Sequence, residues 1–545
     1  MIIFSTFLIS TIGTILVMPF IINLACRINA LDLPNSRKIH CEPVPRIGGV
    51  AMTLGAFLPI LLWAPSNSFV NSLLFGSGIM VIFGIIDDIR NISFKVKFAG
   101  QIIAALIVVV YGGLNINHIG IFWPNGLFLP AWVSIPLTIV IIVTVTNAIN
   151  FSDGLDGLAG GLTLITFLCL CYLSHLSNLQ GYKIISVAMV GAVVGFLRFN
   201  THPAIVFMGD SGSQLLGFVA ISISLALTKT SGHPSLFLVP LLIGIPLVDA
   251  LFVIVQRIFE GRSPFLADKC HLHHKLIKLG LYHSESVLII YLLHSILVCM
   301  AFIFRYKSAW FLSALYISYS GFILTAIFIA DRNGWQIKRY DIIDLVIKGN
   351  LRKLKENDIL IKVSFKSVEI GFIFLLIFNC FLPLHIHIYF SLFTTVLLIL
   401  VLLTRQFKKD WVSKLLDMTV FILIPFLVYF SEKNVGYLVD TFLIQAYNIS
   451  FGILFIFVIL TLKFTRRHGF KSNPMDFLLI FIALVIPNLP DPNIKEWQMG
   501  LIAAKIIVFF FSYEIIKGEL RFEIKNLEIT SIAVLLIISA RGLIG

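Results

Sequence analysis

The sequence predicts an all-α, polytopic membrane bundle, with about eleven helices up to residue 330 and about seven more beyond residue 370. The count sets apolar runs against the ~20 residues needed to span a bilayer core. Two observations carry it. Hydrophobic residues make up 58% of the chain and charged residues 13%, with a mean hydropathy of +0.97, too apolar for a water-soluble protein. The apolar runs also follow one another without an interval long enough for a soluble domain of ordinary size.

In the first part the runs lie near 2–26, 47–64, 69–86, 98–112, 131–149, 158–176, 184–198, 213–228, 236–256, 286–304 and 309–330. The first contains Pro19, lacks a basic leading region and shows no small-residue cleavage pattern, so it reads as a retained helix and not a signal peptide. Alternate loops differ sharply in charge. One set holds Arg27, Arg46, Arg90, Lys95, Lys97, Arg198, Arg257 and Lys275 among others, while the opposite set holds only Lys183, Lys229, Arg305 and Lys307. The positive-inside rule puts the N-terminus outside and the basic loops in the cytoplasm.

The formal net charge of +13 is spread over these short loops, which points to topology and anionic lipid contacts, not nucleic acid. No CxxC pair occurs among the seven cysteines, so neither a disulfide framework nor a structural zinc site is implied. Residues 331–369 interleave Lys338, Arg339, Lys348, Arg352 and Lys355 with aliphatic side chains and read as a basic interfacial helix and linker. Beyond it, runs near 370–384, 389–403, 415–430, 442–462, 477–489, 500–516 and 528–545 predict a further helical membrane domain, 370–545, without a clustered Asp/Asn/Gly/His motif.

The polar motifs of the first part all fall on the predicted cytoplasmic side. Asn147, Asn150, Asp153 and Asp156 recur every third residue, with Gly154 and Gly157 directly after the two aspartates, so that oxygen ligands and a backbone open to a ligand share one segment. A solvated interfacial turn is the plainer alternative. Asp87-Asp88 ends an apolar run beside Arg90, Lys95 and Lys97; one carboxylate serves as a base, both face a cation, or the pair is an interfacial charge cluster. Phe207-Met-Gly-Asp210-Ser-Gly-Ser213 sets a carboxylate between glycines at a predicted helix start, a place for a phosphate and its metal or for an ordinary N-cap. It lacks the Gly-Lys-Ser/Thr ending of a Walker A loop. A loop from Gly261 to His274 gathers Arg262, Lys269, His271, His273 and His274, suited to phosphates, while Cys270 is not spaced for zinc. Asn35, Arg37, Lys38 and Arg46 lie in a turn-rich basic loop that fits an anionic headgroup or nucleotide, or simply marks topology.

In order and spacing, the blocks DLPNSRKIH, IIDDIR, NAINFSDGLDGLAGG, FMGDSGS and GRSPFLADKCHLHH resemble the polyprenyl-phosphate N-acetylhexosamine-1-phosphate transferases over about residues 1–330. The resemblance implies a Mg²⁺-dependent enzyme, with Mn²⁺ as an alternative ion, that joins a UDP-sugar to polyprenyl phosphate and releases UMP. It also implies an inner-membrane, multi-pass protein with a cytoplasmic active site, and leaves room for a homodimer. By motif position, Asp210, Asn150 and Asp153 resemble metal ligands. Asp87 and Asp88 resemble the pair handling the lipid phosphate. Asp156, Gly154 and Gly157 resemble the nucleotide wall, and Arg262, His271, His273 and His274 the pyrophosphate and sugar loop. The His-Leu-His-His form is closer to the UDP-GlcNAc branch than to the muramoyl-pentapeptide branch, and the C-terminal extension departs from the family's usual length. An ion or lipid transporter would also use intramembrane carboxylates, but the chain shows no internal repeat and its motifs cluster at one face.

Overall fold

The structure is a computed structural model that describes residues 2–33, 43–118, 128–230, 235–259, 261, 271–336, 358–383, 386, 388–407, 419–420, 423–432, 441–464, 499–519 and 525–544. These residues form two compact units, the first holding those up to 336 and the second those from 358. Helices dominate both. Eleven are long and apolar enough to cross a membrane, nine of them between Ser5 and Arg332 and two, Val363–Phe381 and Phe442–Thr461, in the second unit.

The first unit runs α1 (Ile2–Arg27), β1 (Leu31–Asp32), β2 (Val44–Pro45), α2 (Gly48–Trp63), α3 (Ser68–Arg90), α4 (Phe94–Leu106, prolonged by a π turn), α5 (Ala131–Phe151), α6 (Leu158–Leu176), α7 (Gln180–Asn200), α8 (Gly209–Thr230), α9 (Leu238–Ile243), α10 (Ile245–Phe259), α11 (Leu272–Lys278), α12 (His283–Ile303) and α13 (Ala309–Arg332). Local signals set several boundaries. The Asn67 side chain caps α3 by accepting the Val70 N–H at 2.8 Å, and Asn91 ends the helix in the left-handed region at φ 47°. Ser308 caps α13 by accepting the Phe311 N–H at 3.3 Å.

α8 is the axis of the unit. It packs against α2, α3, α5, α6 and α9, and Leu215, Leu216, Phe218 and Ile221 on it are fully buried. Fixing its first turn therefore fixes the ends of its neighbours. The Phe207 and Met208 carbonyls accept the Gly48 and Gly49 N–H groups at 3.0 and 2.9 Å, joining the start of α2 to the approach to α8. Gly209 turns into α8 at φ +67°, and a Cβ there would strike the Arg46 carbonyl and the Asp88 carboxylate. Only glycine meets both demands.

Several sequence expectations need correction. The run near 236–256, expected as one crossing, is two helices, because Gly244 adopts φ 61°, ψ −128° and Pro246 offers no N–H to continue the ladder. His271 to His274, placed in a loop, instead start α11, with His271 at its N-cap. The all-α class itself holds, with one two-residue antiparallel ladder among the described residues, Leu31 and Asp32 against Pro45 and Val44. α2, at 16 residues, is shorter than a full crossing. The second unit opens with a helix spanning Asp358–Phe381. In the second unit the further helices are Ile388–Phe407, Leu423–Glu432, Thr441–Phe464, Met499–Glu519 and Lys525–Ile544; the run near 477–489 lies outside the described residues.

Gly209→Ala should lower stability by about 1–3 kcal/mol through left-handed strain and overpacking. Gly321→Ala, at a helical glycine with open space around it, should not. Denaturation midpoints of the two variants in the same detergent check this; equal midpoints would contradict the role given to Gly209.

Candidate active site

The site starts at the N-terminus of α8. Asp88, in the last turn of α3 and 4% exposed, accepts the Asp210 N–H at 2.9 Å and the Ser211 N–H at 3.2 Å. An anion at a helix N-terminus satisfies its free donors and dipole. The donors that sequence reasoning offered to a phosphate are therefore taken by a side chain of the protein. Arg46 lies 4.0 Å from Asp88 and 3.6 Å from Asp32, linking the β-ladder to this carboxylate.

Lys97, on α4, faces two carboxylates. Its ammonium lies 3.5 Å from Asp87 Oδ2 and is also paired with Asp210. Asn150, near the end of α5, donates to Asp210 Oδ1 at 3.0 Å and to Ser213 Oγ at 2.7 Å, while Gln214 donates to Asp210 Oδ2 at 3.3 Å. Behind them Gln101 donates to Asn147 at 3.2 Å and to Gln214 at 3.3 Å, and Asn147 donates back to Gln101 at 2.7 Å. Asn147 thus sits in a supporting amide chain that holds Asp210, one layer away from the cavity.

After α5 the helix loosens into a turn that presents Asp153 and Asp156. Among the described residues no hydrogen bond reaches the Asp153 carboxylate. Burial, then the neighbouring Asp88 and Asp156 charges, push its pKa up to about 7. Asp156 accepts the Ala204 N–H at 3.2 Å and lies 2.7 Å from His202 Nδ1. Gly157 is turned inward: its N–H donates to Asn200 at 2.9 Å and its carbonyl accepts the Tyr291 hydroxyl at 2.6 Å.

On the far side, Asp249 of α10 holds the start of α11. It lies 2.8 Å from His271 Nδ1 and accepts the Leu272 N–H at 2.8 Å. The His271 and His273 rings stack 5.8 Å apart at 5°. His273 is 3% exposed, and burial followed by the neighbouring His274 pushes its pKa down to about 3, so its ring is neutral at pH 7.

These elements enclose a cavity of 940 Å³, walled in part by Arg46, Asn150, Asp153, Gly154, Asp156, Asp210 and His274. Asp87, Asp88, Asn147, Gly157, His271 and His273 are not in its wall. Asn35, Arg37, Lys38, Arg262 and Lys269 lie outside the described residues.

The sequence model of glycosyl transferase family 4 matches residues 70–228. A probable undecaprenyl-phosphate N-acetylglucosaminyl 1-phosphate transferase of Bacillus subtilis (strain 168) is 34% identical over 310 residues, 56% of this chain and 85% of that protein. The chain belongs to glycosyl transferase family 4. Two further relatives of this glycosyl transferase agree. A decaprenyl-phosphate N-acetylglucosaminephosphotransferase of Mycobacterium leprae (strain TN) is 36% identical over 303 residues, covering 49% of this chain and 75% of that one. An undecaprenyl-phosphate alpha-N-acetylglucosaminyl 1-phosphate transferase of Escherichia coli O157:H7 is 28% identical over 355 residues, 63% and 93% of the two chains.

The matched segment of this family 4 transferase runs from α3 to α8 and so contains both ends of the Asp88–Asp210 contact. Sequence reasoning missed Lys97, which it used only as a topology charge, together with Gln101, Gln214, His202, Asp249 and His283. Asp249 carried a signal, being a lone carboxylate in an apolar run. His202 and His283 carried none, because they stand in ordinary polar connections.

The neutral state of His273 makes a pH prediction for this transferase. Its folded pKa lies below the unfolded value of 6.5, so its neutral burial is fully tolerated above that pH. As pH falls from 6.5 toward 3 the unfolded chain gains a proton that the fold refuses, a loss of about 2 kcal/mol by pH 5. His273→Gln should therefore lose less stability than the parent between pH 7.5 and pH 5. Parallel thermal melts at the two pH values check it, and equal losses would rule out His273 as a source of acid sensitivity.

Proposed function

We propose that this chain transfers an N-acetylhexosamine 1-phosphate of the GlcNAc type from a UDP-sugar to a polyprenyl phosphate. A phosphate oxygen of the lipid bonds to the β-phosphorus, the bond from that phosphorus to the bridging oxygen breaks, and UMP leaves with the oxygen. The observation that carries this reading is the cavity in which Asn150, Asp153 and Asp210 face Arg46 and His274. The names of the relatives supply the substrate class. None of those names favours the transporter alternative.

The residues fit a hard divalent cation. Asp153 has a carboxylate without a hydrogen bond among the described residues, held up to about 7 by burial and by like charges, which is an excess of negative field that a cation relieves. Asp153, Asp210 and the Asn150 carbonyl oxygen would hold Mg²⁺, with Mn²⁺ as the alternative. When bound, it neutralises pyrophosphate charge as the leaving oxygen develops. The remaining work belongs to the protein. Lys97 keeps Asp87 and Asp210 together, and the Asn147–Gln101–Gln214 chain limits the rotamers of Asp210. Arg46 offers a cation to a phosphate at the cavity mouth. Asp249 fixes the His271 ring and, with it, the α11 turn that brings His274 to the cavity. Asp87 and Asp88 stay candidates for handling the lipid phosphate through these partners. Because a phosphate monoester is already anionic near neutral pH, positioning and charge compensation suffice without a dedicated base.

The site faces the cytoplasmic side of an inner membrane, by the charge asymmetry of the loops. The second unit is proposed to be a helical bundle dispensable for the chemical step, since the family match lies wholly within the first unit.

Asp210→Asn should reduce UMP release at least about 10²-fold at saturating Mg²⁺ while the chain still folds, because an amide cannot neutralise the ion. Turnover close to the parent's would remove Asp210 from the ligand set. A chain ending near Asp331 should keep UMP release in detergent with purified polyprenyl phosphate and UDP-GlcNAc. A folded but inactive truncation would show that the second unit completes the site.

A further inference from the structure

The end of the first unit away from the cavity carries cations and no carboxylate to balance them. Its connections, residues 64–67, 112–130, 177–179, 231–237 and 304–308, contain no Asp or Glu. Lys183 stands there near the start of α7, Lys229 in the last turn of α8, and Arg305 and Lys307 between α12 and α13. The protein itself satisfies Lys229, whose ammonium donates to the Gly113 carbonyl at 2.6 Å and to Asn115 Oδ1 at 2.7 Å. Lys183 has no such support. It is 5% exposed, and among the described residues no hydrogen bond or ion pair reaches its ammonium. A lysine so placed buries its stem and directs its charge to the membrane interface.

Arg305 is half satisfied. Its Nη1 donates to the Phe302 carbonyl at 2.7 Å, and its guanidinium carbon lies 4.5 Å from the Phe302 ring and 4.6 Å from the Tyr306 ring. Nε has no acceptor, and among the described residues no carboxylate pairs with the side chain. The Nε–Nη2 edge of the fork is therefore left for an anion that offers two oxygens. Tyr306, which covers one face of the guanidinium, is 71% exposed and has room to turn aside. The two unpaired cations flank α6, which packs against both α7 and α12: the Arg305 charge acts on Cys169 and the Lys183 charge on Cys171, both in the last two turns of that helix.

Depth in the membrane identifies the anion. α12 runs from His283, in the cavity wall, to Ile303, and its 21 residues span about 30 Å, the thickness of a bilayer core. Arg305 thus stands at the opposite interface, where the exposed rings of Tyr306 and Trp310 mark the headgroup level. We propose that Lys183 and Arg305 form a binding site for the phosphate of a net-anionic phospholipid, at the end of α6 away from the cavity. The lipid phosphate supplies the acceptors that the fork lacks, and its net charge supplies what the carboxylate-free connections do not. The site ties α7, α6 and the α12–α13 connection together through a molecule of the leaflet opposite the cavity.

The test uses the full purified chain, delipidated in detergent and titrated separately with phosphatidylglycerol, phosphatidylcholine and inorganic phosphate. Phosphatidylglycerol should raise the thermal midpoint saturably, as a ligand specific for the fold does, whereas the other two should not. Arg305→Gln and Lys183→Gln should each weaken that titration about 5-fold, the factor one cation contributes at an anionic membrane surface. Arg332→Gln, exposed at the cavity-side end of α13, should leave it unchanged. On the unaltered chain, phosphatidylglycerol with a photoreactive headgroup should label peptides from the α6–α7 and α12–α13 connections. Equal shifts with phosphatidylcholine or inorganic phosphate, a titration unchanged in either Arg305→Gln or Lys183→Gln, an equal loss in Arg332→Gln, or labelling confined to other connections would each overturn the proposal.

Discussion

The acceptance of two α8 N–H groups by the Asp88 carboxylate is the contact on which the catalytic half depends. A carboxylate 4% exposed at the end of an apolar helix is expensive to desolvate, and it is tolerated because it meets the positive end of α8 and the nearby Arg46. This contact joins the last turn of α3 to the first turn of α8. Since α8 is the buried axis of the unit, the same contact sets where Asp210 stands relative to α5 and the turn beyond it. Gly209 belongs to this arrangement, because any side chain there would push the Arg46 carbonyl and Asp88 away.

Charge is balanced unevenly around the cavity. Asp87 and Asp210 share Lys97, and Asp88 is met by two N–H groups and Arg46, whereas Asp153 has no hydrogen bond among the described residues. A set of carboxylates that is mostly but not wholly compensated is what a site for a cation and a pyrophosphate requires. Full compensation would leave no field to bind the ion, and none would leave the fold unable to bury the group. The amide chain through Asn147, Gln101 and Gln214 adds direction without adding charge.

Histidines occupy the opposite side in two different states of support. His271 is anchored by Asp249 and keeps the α11 turn in place, and His273 is buried and neutral. His202 and His283 stand instead against Asp156 at the rim, stacked on each other and incompletely hydrogen-bonded. The first pair shapes the cavity. The second lines its rim.

The sequence by itself determined the class and most of the helix positions, because the length of an apolar run measured against bilayer thickness is a local property. It also marked Asp87, Asp88, Asn150, Asp153, Asp156 and Asp210 as the place for chemistry, since Asp, Asn and Gly crowded at the ends of such runs have few other uses. It did not disclose that Asp88 serves α8, that Lys97 bridges Asp87 and Asp210, or that Asp249 holds His271. Nor did it show the break at Gly244, where an apolar run continues unbroken through a backbone that turns aside. These features are pairings between residues from 10 to 123 positions apart or backbone angles imposed by packing. No periodicity within one segment records which distant donor a carboxylate will meet; only the packing of α3, α4 and α5 about the start of α8, and of α10 against the start of α11, decides it.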